Sequence, residues 1–204
     1  MKCESKKPNA IKEQLLSCGV ELIQKQGFHG TGIKDLVQAA GVPKGSFYYY
    51  FESKEQFTAQ SIIHYITPFV DRIHALVATI GETRSAMAVL TEYFAEMASE
   101  LEQNPDAGGC LLGNLLGEID SSNQLAMAAL ESATENYQAA LEKLIAAGQK
   151  EGDIRTDIDQ KTLTGLLFDA WQGAILRNRV DKNTRALAQF IDHFLHRLLA
   201  SVNQ

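Results

Sequence analysis

Four side chains able to bind a charged or hydrogen-bonding ligand lie close together near the amino end of the chain. Lys44 carries a positive charge, and Ser46, Tyr48 and Tyr49 carry hydroxyl groups. An ammonium group can reach a guanine edge or a phosphate, and hydroxyls can hydrogen-bond bases or phosphates. No Ser–His–Asp set, phosphate-cradling loop or dinucleotide fingerprint accompanies them. Their types therefore indicate binding of a nucleic acid more than catalysis.

These residues must be held by a helix with two different faces. Phe47 and Phe51 lie four positions apart and can share a buried face. Tyr48, Tyr49 and Tyr50 are consecutive, so they point in different directions around a helix and cannot all pack on one stripe. The alternative is a helical hairpin in an ordinary core with its tyrosines inside. We favour a helix that buries one face and shows the other to the DNA major groove.

A second short helix precedes this one. Apolar residues repeat at helical spacing at Ile33, Leu36, Val37 and Ala40. Gly41 should end that helix in the left-handed conformation, and Pro43 suits the start of the next. The stretch from Thr31 to Phe51 thus predicts a helix–turn–helix.

The same stretch resembles the DNA-binding motif of the TetR family of bacterial transcriptional repressors. The resemblance rests on Gly27–Phe28 before the motif, the run from Val42 to Phe51, and Ser53-Lys54-Glu55 after it. It implies a dimeric repressor that binds palindromic double-stranded operator DNA and is released by a small-molecule inducer. One departure is Gly32, which stands where many members have a second hydroxyl.

Chemistry and matching positions together give the expected DNA contacts. Gly45 lets the backbone approach the duplex, while Tyr49 and Lys54 are expected at phosphates. Thr31 could cap its helix or touch a phosphate, where helix N–H groups also point outward. The expected set is Thr31, Lys44, Gly45, Ser46, Tyr48, Tyr49 and Lys54.

The net charge of −6 is unevenly divided along the 204 residues. Residues 1–56 hold eight Lys and six Asp or Glu, a net of +2, and residues 57–204 hold eleven basic and nineteen acidic residues, a net of −8. Phosphate contacts need local positive charge, which the first part supplies. The modest +2 predicts binding as a dimer with strong salt sensitivity.

Composition indicates a cytoplasmic protein with no membrane segment and no cofactor. No apolar run approaches the roughly 20 residues that span a bilayer. Cys3, Cys18 and Cys110 are far apart and odd in number, which argues against a disulfide framework. His193 and His196, spaced i, i+3, lack further ligands, so we expect no metal site.

The rest of the chain shows helical periodicity and no strand alternation of useful length. We predict an all-α fold of about nine helices, with a helix–turn–helix DNA-binding domain at residues 1–53. Residues 54–204 should form a ligand-binding and dimerisation domain. The last two long helices carry broad apolar stripes that could be buried within one subunit or form a two-chain four-helix bundle. The resemblance implies the bundle.

The resemblance also implies a ligand cavity among the central helices. Aromatic and methionine residues at helical spacing are more often core than pocket, but family members usually enclose a ligand. The predicted ligand or sensor residues are Phe69, Tyr93, Met97, Cys110, Tyr137 and Trp171.

Cys110 follows Gly108 and Gly109 at the expected start of a helix, a position that favours a thiolate. The segment GGCLLGN resembles one in the branch of the family that answers electrophiles, oxidants or unsaturated acids. Cys110 is therefore either a reactive sensor or a small buried hydrophobe. Two other functions remain open: a helical enzyme with Cys110 as nucleophile, and a constitutive DNA-binding protein without a ligand.

Overall fold

A computed structural model describes residues 8–81 and 84–201. Over these residues the chain forms nine α-helices and no strand, as the sequence predicts. The helices are α1 (Pro8–Gly30), α2 (Ile33–Ala39), α3 (Lys44–Tyr50), α4 (Lys54–Val77), α5 (Ala86–Gln103), α6 (Leu111–Leu116), α7 (Gln124–Glu151), α8 (Gln160–Asp181) and α9 (Arg185–Gln189).

The helices divide into two compact units. The first contains residues 1–67 and 110–133, and the second contains residues 68–109 and 134–204. The first unit therefore combines the amino-terminal helices with a segment from the middle of the chain. Its boundary at Pro68 falls inside α4, which continues on both sides of that proline.

In the first unit, α1, α2 and α3 pack on one another, and α1 and α3 also contact Phe57 in the first turn of α4. Leu15, Ile23, Leu36 and Phe57 are fully or almost fully buried. Gly19 allows the close approach, since a Cβ there would lie 2.2 Å from the Phe57 ring. The apolar spacing read from the sequence is thus the buried face of the head.

The turn between α2 and α3 forms as predicted. Gly41 has φ +61°, and the Val42 amide donates to the Val37 carbonyl at 3.0 Å. Pro43 is the N-cap of α3 and Phe51 its C-cap. A glycine in the left-handed conformation commonly ends a helix, and a proline shortly after it commonly starts the next one. The sequence therefore predicted both the end of α2 and the start of α3.

In the second unit, α8 buries one face and exposes the other. Its buried face includes Leu167, Phe168 and Trp171, and Trp171 packs with Phe94 of α5 at a ring-centroid distance of 4.9 Å. Asp159 is the N-cap of α8, with its carboxylate accepting from the Thr162 amide at 3.0 Å. The sequence therefore located this helix well.

The end of the chain differs from the single long helix expected there. α9 is five residues long and continues as a π-helix over Phe190–Leu199. Backbone bonds from Arg155 to Leu199 and from Ser201 to Asp153 then hold the last described residues. The wider π turn changes which side chains share a face, and helical periodicity read at 3.6 residues per turn does not reveal it.

None of the described helices combines the length and the apolar character needed to cross a membrane.

Candidate nucleic-acid interface

A cluster of three phenylalanines anchors α3. Phe47 and Phe51 are buried, with ring centroids 5.3 Å apart, and Phe57 of α4 lies 5.4 Å from Phe47 and 4.9 Å from Phe51. Such tilted and edge-on aromatic pairs add to the burial of apolar area. The cluster fixes the rotation of α3 about its own axis, and therefore decides which residues of α3 face outward.

The outward face of α3 carries the tyrosines and the lysine named from the sequence. Tyr48 is 53% exposed and Tyr49 75% exposed. Lys44 is exposed at the first position of α3, with its Nζ 5.9 Å from the centre of the Tyr48 ring. Large aromatic side chains left in water on a short helix are typical of a contact surface.

Small residues border this face. Gly45 is exposed, and a Cβ added there would meet no atom within 4 Å. Ser46 is half-buried, and Tyr50 is half-buried with its ring edge-on to Tyr49 at 4.8 Å. Lys44, Gly45, Ser46, Tyr48 and Tyr49 are thus brought together at the surface of one helix.

Thr31 is not on α3, and the first of its two expected roles, a cap of α2, is wrong. Gly32 is the N-cap, and its amide donates to the Asp35 carboxylate at 3.1 Å. Thr31 is fully buried, and its hydroxyl donates to the Gly27 carbonyl at 2.7 Å. In this conformation the hydroxyl cannot reach a phosphate, because local bonding to the backbone four residues earlier occupies it.

Lys54 is also engaged within the protein. Its Nζ donates to the Phe28 carbonyl at 2.5 Å and lies 4.2 Å from the centre of the Phe28 ring. Burial lowers the pKa of the Lys54 ammonium, and the Glu118 carboxylate partly opposes that shift. The side chain expected at a phosphate is therefore half-buried against the turn that precedes the motif.

Glu118 is a residue that sequence reasoning missed. Its carboxylate accepts from the Phe28 amide at 2.7 Å, although 90 positions separate the two residues. The only sequence signal was Gly27, which has φ +78° and leaves room for that carboxylate. A contact over such a separation leaves no periodic trace in the sequence.

The residues predicted for a ligand site are divided between the two units, with Cys110 in the first and the other five in the second. In the second unit the hydroxyls of Tyr93 and Tyr137 lie 3.0 Å apart, and the Tyr137 hydroxyl donates to the Met97 sulfur at 4.0 Å. Trp171 is buried, and its indole Nε1 has no hydrogen-bond partner among the residues that the structure describes. Phe69 is half-buried. A buried N–H without an acceptor is uncommon and is a natural point for a bound acceptor to satisfy.

Cys110 is in the first unit, as the half-buried N-cap of α6, and it forms no disulfide with Cys18, the other described cysteine. None of the predicted ligand residues lines the open groove of about 580 Å³ found in the second unit. The groove is lined by Ser85, Met87, Ala88, Thr91, Glu92, Asp153, His196 and Ala200. Within the part of the chain that the structure describes, no three His, Cys, Asp or Glu side chains are grouped to hold a metal ion.

An exposed recognition helix held in a three-helix head defines a helix–turn–helix DNA-binding protein. Residues 15–60 match the family of bacterial regulatory proteins, tetR family, and residues 86–194 match the tetracyclin repressor-like C-terminal domain. The chain belongs to the TetR family of transcriptional regulators.

Three relatives illustrate the similarity. The chain is 34% identical to the HTH-type transcriptional repressor DhaR of Mycobacterium sp. strain GP1, over 94% of this chain and 93% of DhaR. The crystal structure of reduced NemR from E. coli superposes with a TM-score of 0.82 at 23% identity, covering 94% and 98% of the two chains. FadR of Bacillus subtilis, crystallised with stearoyl-CoA, superposes with a TM-score of 0.73 at 18% identity, covering 91% and 96%.

Proposed function

We propose that this chain is a ligand-responsive repressor that binds palindromic operator DNA as a homodimer and releases it when a small molecule binds. The observation that carries the proposal is the two-faced α3, with Phe47 and Phe51 buried and Tyr48 and Tyr49 in water. The proposed DNA contacts are Lys44, Gly45, Ser46, Tyr48 and Tyr49. Thr31 and Lys54 are left out because both side chains are engaged within the head.

The outer face of α8 supports the proposed homodimer. Leu166, Gly173, Leu176 and Val180 are exposed at intervals that keep them on one side of the helix. A second copy covering this stripe by two-fold symmetry would bury it and pair two heads. Two recognition helices about 34–36 Å apart would meet successive major grooves on one side of a duplex.

The experiment is a binding titration of the purified protein with the DNA upstream of its own gene, against a scrambled duplex of equal length. Fluorescence anisotropy over a series of salt concentrations should show tight, specific and salt-sensitive binding, because phosphate contacts release counterions. Equal affinity for both duplexes would contradict the proposed repressor.

Release by a ligand rests on the aromatic interior of the second unit. FadR, a structural relative, binds stearoyl-CoA, and Trp171 has a buried N–H that a ligand acceptor could satisfy. Trp171 is also the sole tryptophan, so its fluorescence reports on this interior. A ligand that quenches or shifts the Trp171 emission and also releases the operator, by population shift, would support the proposal. Release of DNA by compounds that leave the emission unchanged would contradict this location.

A sensor role for Cys110 is a second candidate, favoured by its position as the N-cap of α6. The test is release of the operator by a thiol-reactive electrophile in wild type, Cys110→Ser and Cys18→Ser. Cys18 is the matched control, since burial and the nearby Glu21 raise the pKa of its thiol. Release should be lost only in Cys110→Ser, and a normal response of that variant would eliminate the sensor role.

A further inference from the structure

The turn that enters the helix–turn–helix is held by a residue from the middle of the chain. Glu118 follows α6, and its carboxylate accepts from the Phe28 amide at 2.7 Å. The Glu118 carbonyl accepts from His29 Nε2 at 3.2 Å. On the other side, Lys54 donates to the Phe28 carbonyl. Both polar groups of the Phe28 backbone are therefore bound by charged side chains, which make stronger hydrogen bonds than neutral ones.

The shape of the turn depends on the same contact. Gly27 has φ +78°, a conformation that residues with a Cβ rarely adopt. A Cβ at Gly27 would also lie 2.6 and 2.8 Å from the two Glu118 carboxylate oxygens. The carboxylate thus fills the space beside a glycine, and one residue sets both the local geometry and the bond to Phe28.

Other contacts hold the segment that carries Glu118 against the head. The Asn114 side chain donates to the Gln24 carbonyl of α1 at 3.4 Å. The Glu55 carboxylate of α4 accepts from the Leu125 amide in the first turn of α7 at 2.8 Å. Residues 110–133 belong to the same compact unit as the head. The backbone segment that carries Glu118 is therefore itself held in place by hydrogen bonds to α1 and α4.

We propose that Glu118 is a positioning residue for DNA binding: it holds the Gly27–His29 turn so that α2 and α3 are presented in the orientation that fits the duplex. Glu118 touches no DNA in this proposal, and Lys54 works with it from the opposite side of Phe28. The inference rests on the proposed function. It also makes the DNA-binding unit discontinuous, because residues 1–53 lack the group that fixes their entry turn.

The Gly27–His29 turn is in equilibrium between the orientation that fits DNA and other orientations. Loss of a charge-assisted hydrogen bond corresponds to roughly a ten-fold change or more in an equilibrium constant. If the head then samples misoriented turns, the observed operator affinity equals the intrinsic affinity multiplied by the fraction of molecules that remain competent. The bound complex is the same in both proteins, so the slope of log affinity against log salt concentration should not change.

The experiment compares full-length wild type, Glu118→Ala, Glu118→Gln and the control Glu131→Ala on the operator. Glu131 is exposed on α7 in the same unit, so its removal matches the loss of charge. Glu118→Ala should bind more weakly, by up to roughly ten-fold, with an unchanged salt slope. Glu118→Gln retains an acceptor oxygen and should recover part of the affinity, whereas Glu131→Ala should bind as wild type.

A purely stabilising role is separated by measuring affinity well below the melting temperature. There almost all protein is folded, so a loss of stability alone does not weaken binding. Hydrogen exchange of the Phe28 amide, read in a peptide covering the turn, should be faster in Glu118→Ala. Unchanged operator affinity or unchanged Phe28 exchange in Glu118→Ala would overturn the inference. Absence of specific binding by wild type would instead contradict the proposed function.

Two further variants keep the test valid if Glu118→Ala fails to fold. Gly27→Ala should reproduce the loss of affinity, because its Cβ must displace the Glu118 carboxylate. Lys54→Met keeps an aliphatic chain over Phe28 but removes the donor, and should weaken binding with the salt slope unchanged. A slope lower by about 0.9 for each lost contact would identify Lys54 as a phosphate ligand and overturn its positioning role.

Discussion

Phe47 and Tyr48 are neighbours with ring centroids 5.4 Å apart, yet Phe47 is fully buried and Tyr48 is 53% exposed. The two rings therefore lie on opposite sides of the boundary between the head and solvent. Phe47 should therefore contribute to the stability of the head, and Tyr48 to DNA binding. Substitutions at these two adjacent positions form a matched test of the proposed interface.

Replacement of Tyr48 and of Phe47 by alanine should have different effects. Tyr48→Ala should change the free energy of unfolding by less than about 0.5 kcal/mol, as is usual for exposed positions. It should weaken specific operator binding by about 1–3 kcal/mol for each recognition helix. Phe47→Ala should lower the free energy of unfolding by about 3–5 kcal/mol. Urea unfolding and anisotropy measure the two quantities, and operator affinity retained by Tyr48→Ala would contradict the proposed face.

The charge of Lys44 should appear in the salt dependence of DNA binding. Lys44→Gln removes an exposed cation at the start of α3, and should weaken binding to operator and scrambled DNA alike. The slope of log affinity against log salt should fall by about 0.9 per lost phosphate contact. Lys161→Gln, an exposed lysine on α8, is the control for net charge. An equal effect of both substitutions would indicate that Lys44 acts through the net charge of the protein and not through a direct contact with a phosphate.

Val180 is 76% exposed on α8, so a charge there tests the proposed dimer. Val180→Asp should reduce the dimer population, because burying an unpaired carboxylate against a second copy is unfavourable. The helical signal should be unchanged, since the side chain is exposed in the subunit. Analytical ultracentrifugation over a range of concentrations gives the dissociation constant. Met127→Asp, at an exposed apolar position of α7, should leave it unaltered. A Val180→Asp protein with wild-type self-association would exclude this face.

The cap of α8 predicts a dependence of stability on pH. Hydrogen bonds from the Thr162 amide, which has the larger effect, and from the Thr162 hydroxyl hold the pKa of Asp159 below its usual value of 3.8. A depressed carboxyl pKa adds stability above pH 3.8, and this contribution is lost as pH falls through the folded-state pKa. Asp159→Asn keeps a capping side chain that does not titrate. The urea midpoint of wild type should therefore drop relative to Asp159→Asn as pH is lowered below about 4. If the urea midpoints of the two proteins changed with pH in the same way, the proposed contribution of the Asp159 carboxylate to stability would be contradicted.

Helix order and the faces of the head could be predicted because both depend on local spacing. Phe47 and Phe51, four positions apart, were expected to be buried, and Gly41 was expected to end α2. Thr31 shows the limit of such reasoning, since a threonine before a helix is commonly a cap but here bonds back to Gly27. The side chain is also fully buried, which the spacing of the neighbouring residues did not indicate.

Contacts between distant parts of the chain were not predictable from one sequence. Periodicity placed a short helix after Cys110, but nothing in that spacing indicated that Glu118 would reach Phe28. The same holds for the pairing of Tyr93 with Tyr137, whose hydroxyls meet across 44 positions. Propensity and spacing describe neighbours along the chain, whereas these bonds arise only after helices pack.

The hydrogen bond between Glu118 and Phe28 joins residues 90 positions apart, and this affects the order in which the head is completed during synthesis. Ribosomes add roughly 5–20 residues per second, so the Glu118 carboxylate emerges about 5–20 s after the Phe28 amide that it binds. During that interval the nascent head contains all of its motif helices but has an unfilled position beside Gly27. Translation must therefore pass residue 118 before a newly made molecule can hold its amino-terminal turn in the final arrangement.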